Sequence, residues 1–198
     1  KPEKYKDLNY FIQIKLLKPN VSLQVDFENQ RIVVVKTHND REKNCYEKID
    51  CNYPFISKYL GEAINEPSSF ILIEYIEGND LNSIEKMKLS FIEKIKIIGE
   101  LMLSIEYLHS KNIIFRDLKC DNIIIDSSKD AILIDFDHSK IIENDKPDDK
   151  EIVDAVITDD IGCQLFAAPE QFGSNEYTYK VDIYSLGLLI YFIIMEEI

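Results

Sequence analysis

The chain has 198 residues, of which 45% are hydrophobic and 11% are aromatic. These shares are typical of a folded protein and exclude a largely disordered chain, and the length allows one large domain or two smaller lobes. The 23 basic and 36 acidic residues give a formal charge of −13, which disfavours nucleic acid and anionic membranes as partners and favours basic peptides.

The first part of the chain is predicted to be rich in β-strands. Runs of apolar and β-branched residues, separated by turn residues, predict five strands, with one short helix between the third and the fourth. The strands are expected at residues 10–17, 21–27, 31–36, 55–60 and 70–76, and the helix at residues 40–49. The turn-prone residues 77–80 then predict a hinge that closes this part of the chain.

The rest of the chain is predicted to be mainly helical. Its clearest helix covers residues 90–109, where Ser90 and Glu93 have the spacing of a capping box. Apolar residues recur there at three- and four-residue steps and predict one buried face, made of Phe91, Ile95, Ile98, Met102, Ile105 and Leu108. Further elements are expected as short strands at 122–125 and 131–135, an acidic solvated loop at 143–160 and a buried helix at 181–195.

Cysteine usage and the apolar runs indicate the compartment. The four cysteines form no CxxC pair and have no histidine at ligand spacing, which disfavours a zinc site or a disulfide framework. No signal peptide is recognisable, and the longest apolar run, residues 184–195, is too short to cross a bilayer. We therefore expect free thiols and a cytoplasmic protein without a membrane span.

Four polar residues carry the strongest chemical signal. Asp117, Lys119 and Asn122 stand on a short loop after the predicted long helix, and Asp135 ends an apolar strand. Metal-assisted phosphoryl transfer needs these residue types. A carboxylate accepts the hydroxyl proton, a lysine neutralises charge on the moving phosphoryl group, and oxygen ligands hold Mg²⁺.

Four motifs in a fixed order give this signal a family resemblance. Residues 116–122, Arg-Asp-Leu-Lys-x-x-Asn, resemble the catalytic loop of the eukaryotic protein kinases, and residues 135–137, Asp-Phe-Asp, resemble their metal-binding DFG element. Residues 168–170, Ala-Pro-Glu, resemble the APE motif, and residues 181–187 resemble the start of the helix that follows it. The resemblance covers nearly the whole chain, and Lys119 matches the serine/threonine branch of the family.

The resemblance implies an α+β, two-lobed protein-kinase-like fold. Its β-rich N-lobe, residues 1–78, would hold a five-stranded sheet and one helix. Its mainly helical C-lobe, residues 79–198, would be incomplete relative to the family and would contain a catalytic loop at 113–122 and an activation segment at 135–170. The implied cofactors are ATP and Mg²⁺, and the implied partner is a protein substrate, which the net charge suggests is basic.

Carried over position by position, the resemblance assigns the catalytic roles. Asp117 would be the catalytic base and Lys119 the phosphate-facing cation, while Asn122 and Asp135 would be the Mg²⁺ ligands. Lys36, at the end of an apolar strand, would hold the α- and β-phosphates. Its partner on the short helix would be Glu42, with Glu47 as the alternative.

The resemblance also implies a nucleotide site. Ile73 would be the gatekeeper, the backbone of Glu74 and Ile76 would bind adenine, and Asp80 would lie near the ribose. The valine after the glycine-rich loop would be Val25, and the set of nucleotide-binding residues is completed by Val34 and Ile124.

Three sites depart from the family pattern. The glycine positions of the phosphate-binding loop hold Lys18, Asn20 and Leu23, which predicts weaker nucleotide binding, with Lys18 either a compensating charge or a simple surface residue. Phe115 replaces a histidine and is expected to keep its packing role without its hydrogen bonds. Asp137 replaces the DFG glycine, where it would either restrict the activation segment or join the metal site.

The activation segment carries its own hypothesis. In the family, the arginine at the position of Arg116 pairs with a phosphate on this segment. Thr158 is the candidate acceptor, and its neighbours Asp159 and Asp160 are candidates to mimic the phosphate directly.

The motifs leave three functions open. The intact set of Lys36, Asp117, Asn122 and Asp135 favours a protein serine/threonine kinase that uses Mg²⁺-ATP. The missing glycines and the altered DFG element favour a pseudokinase scaffold with weak or no turnover. Residues 133–137 also resemble the corresponding segment of the aminoglycoside and choline kinases, so the third hypothesis is a small-molecule kinase.

Overall fold

The computed structural model describes residues 3–4, 10–65, 67–142, 151–152, 165–173 and 176–196. The strands of the described residues are β1 Glu3–Lys4, β2 Phe11–Lys18, β3 Val21–Asp26, β4 Arg31–Thr37, β5 Tyr59–Asn65, β6 Ser68–Glu74, β7 Gly78–Asp80, β8 Ile113–Ile114, β9 Ile123–Asp126, β10 Ala131–Leu133, β11 Lys140–Ile141, β12 Glu151–Ile152 and β13 Glu176–Tyr177. The helices are α1 Asp40–Lys48, α2 Ile84–Met87, α3 Phe91–Ser110, α4 Glu170–Gly173 and α5 Lys180–Met195.

The front of the molecule is a six-stranded sheet in the order β1-β5-β6-β4-β3-β2. Its strands are antiparallel except for the β1–β5 pair, which is parallel. The sequence predicted five strands and missed β1, because two residues are too short a run to show periodicity. Helix α1 follows β4, as expected, and Asn39 caps it by accepting a hydrogen bond from the backbone of Arg41.

The fourth predicted strand, residues 55–60, was misplaced. The strand begins at Tyr59 and runs to Asn65. The apolar residues before it are buried in a different way, because Ile56 forms an isolated parallel bridge with Leu133 of β10. The backbone of Leu133 donates to the Phe55 carbonyl at 2.9 Å and accepts from Ser57 at 3.0 Å. The apolar residues at the start of the predicted strand therefore contact β10 and do not belong to the six-stranded sheet.

Residues 77–80, predicted as a turn, contain the short strand β7. It pairs with β9, and Gly78 lies opposite Asp126. A Cβ atom on Gly78 would overlap the carbonyl oxygen of Ile125 and lie 2.7 Å from Cγ2 of Ile124. Glycine is required at position 78 because β7 and β9 approach closely there. The segment that follows the six-stranded sheet is therefore held in place by its pairing with β9.

Helix α3 begins with the predicted capping box. Ser90 Oγ accepts from the Glu93 backbone at 3.3 Å, and Glu93 Oε2 accepts from the Ser90 backbone at 2.7 Å. The predicted apolar face was wrong at Phe91, Ile95 and Met102, whose exposed fractions are 68%, 48% and 52%.

The buried face of α3 is set by β10 and α5. Glu100 is buried and accepts a hydrogen bond from the Ala131 backbone at 2.8 Å, which fixes β10 against this side of the helix. The buried residues of the helix are Ile97, Ile98, Glu100, Leu101, Ser104, Ile105 and Leu108. Apolar residues occur on more than one side of α3, so their spacing alone did not identify the buried one.

One continuous core joins the two halves. Tyr46 of α1 and Ile71 of β6 belong to the same cluster of buried residues as Leu101 of α3 and Leu189 of α5. The last helix was predicted as residues 181–195 and is α5, Lys180–Met195. One side of it is buried, whereas Tyr191 on the other side is exposed.

The acidic stretch 143–160 lies outside the described residues, apart from β12, which pairs with β13. Thr158, Asp159 and Asp160 are therefore among the positions that the structure does not describe. In the described part of the chain, no helix is long and apolar enough to span a lipid bilayer.

Candidate active site

A cavity of about 210 Å³ lies between the sheet and the loops that follow α3. Eight of the site residues named from the sequence line it: Val34, Lys36, Ile73, Glu74, Ile76, Asn122, Ile124 and Asp135. Their side chains and backbone give the cavity an apolar end and a charged end. The structure therefore brings together residues that are up to 101 positions apart in the chain.

The structure places Val25 away from this cavity. The turn between β2 and β3 contains only two residues, so Val21 is the first residue of β3 and pairs with Lys36. Val25 pairs with Ile32, four residues further along the strand, which is about 13 Å from Val21. The lining valine of β3 is thus Val21, and the prediction of Val25 was wrong because it assumed a longer loop.

Lys36 lies at the charged end of the cavity and contacts three carboxylates. Its Nζ is 2.8 Å from Glu42 Oε2, 2.9 Å from Asp135 Oδ1 and 3.1 Å from Asp137 Oδ2. Of the two candidate helix partners, Glu42 makes this ion pair, whereas Glu47 lies 3.9 Å from Lys43. Asp137 therefore binds the lysine, and its Oδ1 also accepts from Asn39 at 3.2 Å.

The charges in this cluster shift one another's pKa values. Burial alone would lower the pKa of Lys36, but Asp135, Glu42 and Asp137 outweigh burial and raise it. Burial raises the pKa of Glu42 to about 8, aided by the Asp137 carboxyl and opposed by Lys36. Burial alone would raise the pKa of Asp135. The positive charges of Lys36 and, after it, Lys18 outweigh burial and lower this pKa to about 2. Asp135 is thus an anion throughout the physiological pH range.

Asp117, Lys119 and Asn122 form a second polar cluster beside the cavity. Asp117 Oδ2 accepts from Asn122 Nδ2 at 2.9 Å and lies 3.0 Å from Lys119 Nζ. The Asn122 carbonyl accepts from the Ile134 backbone at 2.9 Å. This bond ties the loop to the residue before Asp135, so the two polar clusters are held side by side.

Helix α5 holds the loop that carries Asp117 through hydrogen bonds from the loop backbone to Asp182. Asp182 is buried and accepts from the backbone of Phe115 and of Arg116, both at 2.8 Å. Arg116 has φ 69°, an unfavourable value for a residue with a Cβ atom, and the bond to Asp182 stabilises it. His109 Nε2 lies 2.8 Å from Asp182 Oδ2. His109 was missed from the sequence because 73 residues separate the pair and no local pattern signals the contact.

Aromatic rings connect this loop to α1. Phe115 packs edge-on against Phe136, with ring centroids 5.1 Å apart, and Phe136 packs against Tyr46 at 4.8 Å. The packing role expected for Phe115 is therefore confirmed. Both phenylalanines are fully buried, so the rings fix the position of the Asp135 segment relative to α1.

Comparison with known proteins identifies the family. The sequence matches the protein kinase domain model over residues 20–198. The chain belongs to the protein kinase family. Among curated relatives of this kinase chain, cAMP-dependent protein kinase type 3 of Saccharomyces cerevisiae is 33% identical over 142 residues, which are 71% of this chain and 33% of the relative. Serine/threonine-protein kinase pakF of Dictyostelium discoideum is 29% identical over 195 residues, which are 94% of this chain and 14% of the relative.

The fold of this kinase chain also matches a solved structure. The crystal structure of the yeast RNA Pol II CTD kinase CTDK-1 complex contains a chain that superposes with a TM-score of 0.77 at 20% identity. The match covers 98% of this chain and 65% of the other. It confirms the predicted two-lobed kinase fold. The present chain spans about a third of the length of its yeast relative.

Proposed function

We propose that this protein kinase chain transfers the γ-phosphate of ATP to serine or threonine hydroxyls of protein substrates. The observation that carries the proposal is the assembly of two polar clusters at one cavity. Lys36 with Glu42 and Asp135 forms one cluster, and Asp117 with Asn122 forms the other. The serine/threonine kinases among its relatives and the residue type at Lys119 support the choice of hydroxyl.

The residues that line the cavity support the binding of a nucleotide and a metal ion. Its apolar end, which includes Val34, Ile73 and Ile124, suits an adenine ring. At the charged end, Asp135 supplies a carboxylate that stays ionised, and Asn122 supplies an amide oxygen, since its nitrogen donates to Asp117. Carboxylate and amide oxygens are the protein ligands that Mg²⁺ prefers, and the bound ion would neutralise phosphate charge.

Asp117 is the base in the proposed reaction. The substrate hydroxyl oxygen forms a bond to the γ-phosphorus of ATP, the bond between that phosphorus and ADP breaks, and the hydroxyl proton passes to Asp117. Lys119, 3.0 Å from the same carboxylate, neutralises charge that develops on the transferred group. The formal charge of −13 supports substrates with basic residues.

A catalytically weak or inactive scaffold is the second candidate. Two observations favour it. Asp137 binds Lys36 at 3.1 Å, so it competes with phosphate for this lysine, and the β2–β3 turn contains no glycine.

Two measurements on the whole chain distinguish these functions. The first is the thermal stabilisation by Mg²⁺-ATP, and the second is the transfer of labelled phosphate to a basic protein. We expect both in the wild type, and we expect Asp117→Asn to keep the stabilisation and lower transfer by about 10²–10⁴-fold. Glu106→Gln, which removes an exposed carboxylate on α3, is the matched control and should transfer like the wild type.

The outcomes separate the candidates. Stabilisation by nucleotide without transfer above the Asp117→Asn level would replace the enzyme with a nucleotide-binding scaffold. If neither stabilisation nor transfer occurs, only a scaffold without nucleotide binding remains.

A further inference from the structure

The hairpin between β2 and β3 covers the charged end of the cavity but offers few backbone donors. Its turn consists of Pro19 and Asn20, between Lys18 and Val21. Proline has no backbone N–H, so Asn20 supplies the one backbone donor of the two turn residues. This short turn therefore cannot surround a phosphate chain with amides, as a longer glycine-rich loop would.

Strand pairing aims Lys18 into the cavity. Lys18 pairs with Val21, and Val21 pairs with Lys36, so the three residues form one row across β2, β3 and β4. Side chains of directly opposed residues lie on the same face of a sheet. A β-bulge between Leu16 and Lys18 turns Leu17 and Lys18 toward this face, and both line the cavity.

Lys18 and Lys36 converge on one carboxylate. Lys36 Nζ lies 2.9 Å from Oδ1 of Asp135, and Lys18 Nζ lies 3.5 Å from Oδ2 of the same side chain. They are the two lysines among the described residues that line the cavity. Lys36 is almost fully buried and is bound by three carboxylates, whereas the Lys18 side chain is 65% exposed and can move toward a ligand.

The charged end of the cavity carries a net negative charge. Asp135 and Asp137 contribute two carboxylates, against one ammonium group from Lys36. This excess repels an anionic phosphate chain, so positive charge beyond that of the Mg²⁺ proposed at Asp135 would favour its binding. Lys18 supplies this charge from the sheet side, at the tip of the hairpin that would lie over the phosphates.

We propose that Lys18 is a second phosphate-binding residue, whose ammonium group replaces the backbone amides that the Pro19-Asn20 turn lacks. The ligand class is a nucleoside di- or triphosphate, and the inference rests on the proposed nucleotide-binding function. Lys18 acts on the phosphates alone, since it contacts Asp135 at the charged end, whereas the end proposed for adenine is lined by apolar residues such as Val34 and Ile73.

The test compares nucleotides that differ only in their phosphates. Dissociation constants for ATP, ADP and adenosine, with Mg²⁺ present, are measured by titration calorimetry for the wild type, Lys18→Ala, Lys18→Arg and Lys15→Ala. We expect Lys18→Ala to weaken ATP and ADP about tenfold, the effect of one partly screened charge-assisted hydrogen bond, and to leave adenosine unchanged. Lys18→Arg should restore most of the affinity. Lys15, exposed on the same strand, is the matched control and should have no effect.

Two results for Lys18→Ala would overturn the proposal. If ADP and adenosine bind equally more weakly, Lys18 only shapes the hairpin. If ADP binds as tightly as it does to the wild type, Lys18 is a surface residue without a role in binding. A wild type that binds ADP, and loses affinity in Lys18→Ala, but transfers no phosphate supports the role of Lys18 while refuting the proposed enzyme. A wild type that binds none of the three nucleotides overturns both.

Discussion

Replacing Asp182 with asparagine should destabilise the protein and disorder the loop of Asp117. The Asp182 carboxylate is buried and receives the backbone N–H groups of Phe115 and Arg116 and a contact from His109, each at 2.8 Å. Asparagine keeps one acceptor oxygen and places an NH₂ group against at least one of these donors. Each orphaned buried donor costs about 2 kcal/mol, within a range of about 1–3 kcal/mol, and one or both backbone donors are orphaned, so we expect a loss of about 2–4 kcal/mol in the free energy of unfolding.

The same substitution should lower phosphate transfer more than the lost stability explains. Without its bond to Asp182, the backbone of Arg116 can leave its φ of 69°, and the next residue, Asp117, moves with it. Urea denaturation at 25 °C measures the free energy of unfolding by linear extrapolation. Ser185→Ala, one turn further along α5 and also buried, is the control and should cost about 1 kcal/mol or less. If Asp182→Asn unfolds within about 1 kcal/mol of Ser185→Ala, the reasoning about the orphaned donors is refuted.

Two further predictions concern glycines and pH. Gly78→Ala should lower the free energy of unfolding by about 1–3 kcal/mol, because its Cβ overlaps the β9 backbone. Gly99→Ala in α3, with open space around it, should raise that energy by about 0.5–1 kcal/mol, and equal signs for the two substitutions in urea denaturation would contradict this. The pKa of Glu42 is raised to about 8, so the folded state holds this proton more tightly than the unfolded state does. Relative to Glu42→Gln, wild-type stability should therefore fall as the pH rises from about 4.5 to 8, by at most about 5 kcal/mol, and parallel pH profiles of the two proteins would argue against it.

The sequence was most informative where function constrains neighbouring residues. The run from Asp117 to Asn122 and the segment beginning at Asp135 were identified because each is a short motif whose residue types are needed together. The pair of Lys36 with Glu42 was implied by the resemblance to the protein kinases, which left Glu47 as an alternative, and the structure shows the contact with Glu42.

Predictions failed where geometry depends on distant packing or on the length of a turn. Val25 was predicted at the position that Val21 occupies, because the turn has only two residues and this shifts every later position of β3 relative to the cavity. The contact between His109 and Asp182 depends on how α3 and α5 pack, and no local spacing encodes that. Asp137 was known to be unusual, but only the structure shows that its carboxylate binds Lys36.

The continuous core has a consequence for how the molecule loses its structure. Phe136 lies between Tyr46 of α1 and Phe115, which precedes the loop of Asp117, and all three belong to a cluster that also contains residues of β6, α3 and α5. Neither lobe can expose its part of this cluster without uncovering the other's, so melting of the sheet and of the helices is thermodynamically linked. The domain should therefore unfold as one cooperative unit and not lobe by lobe.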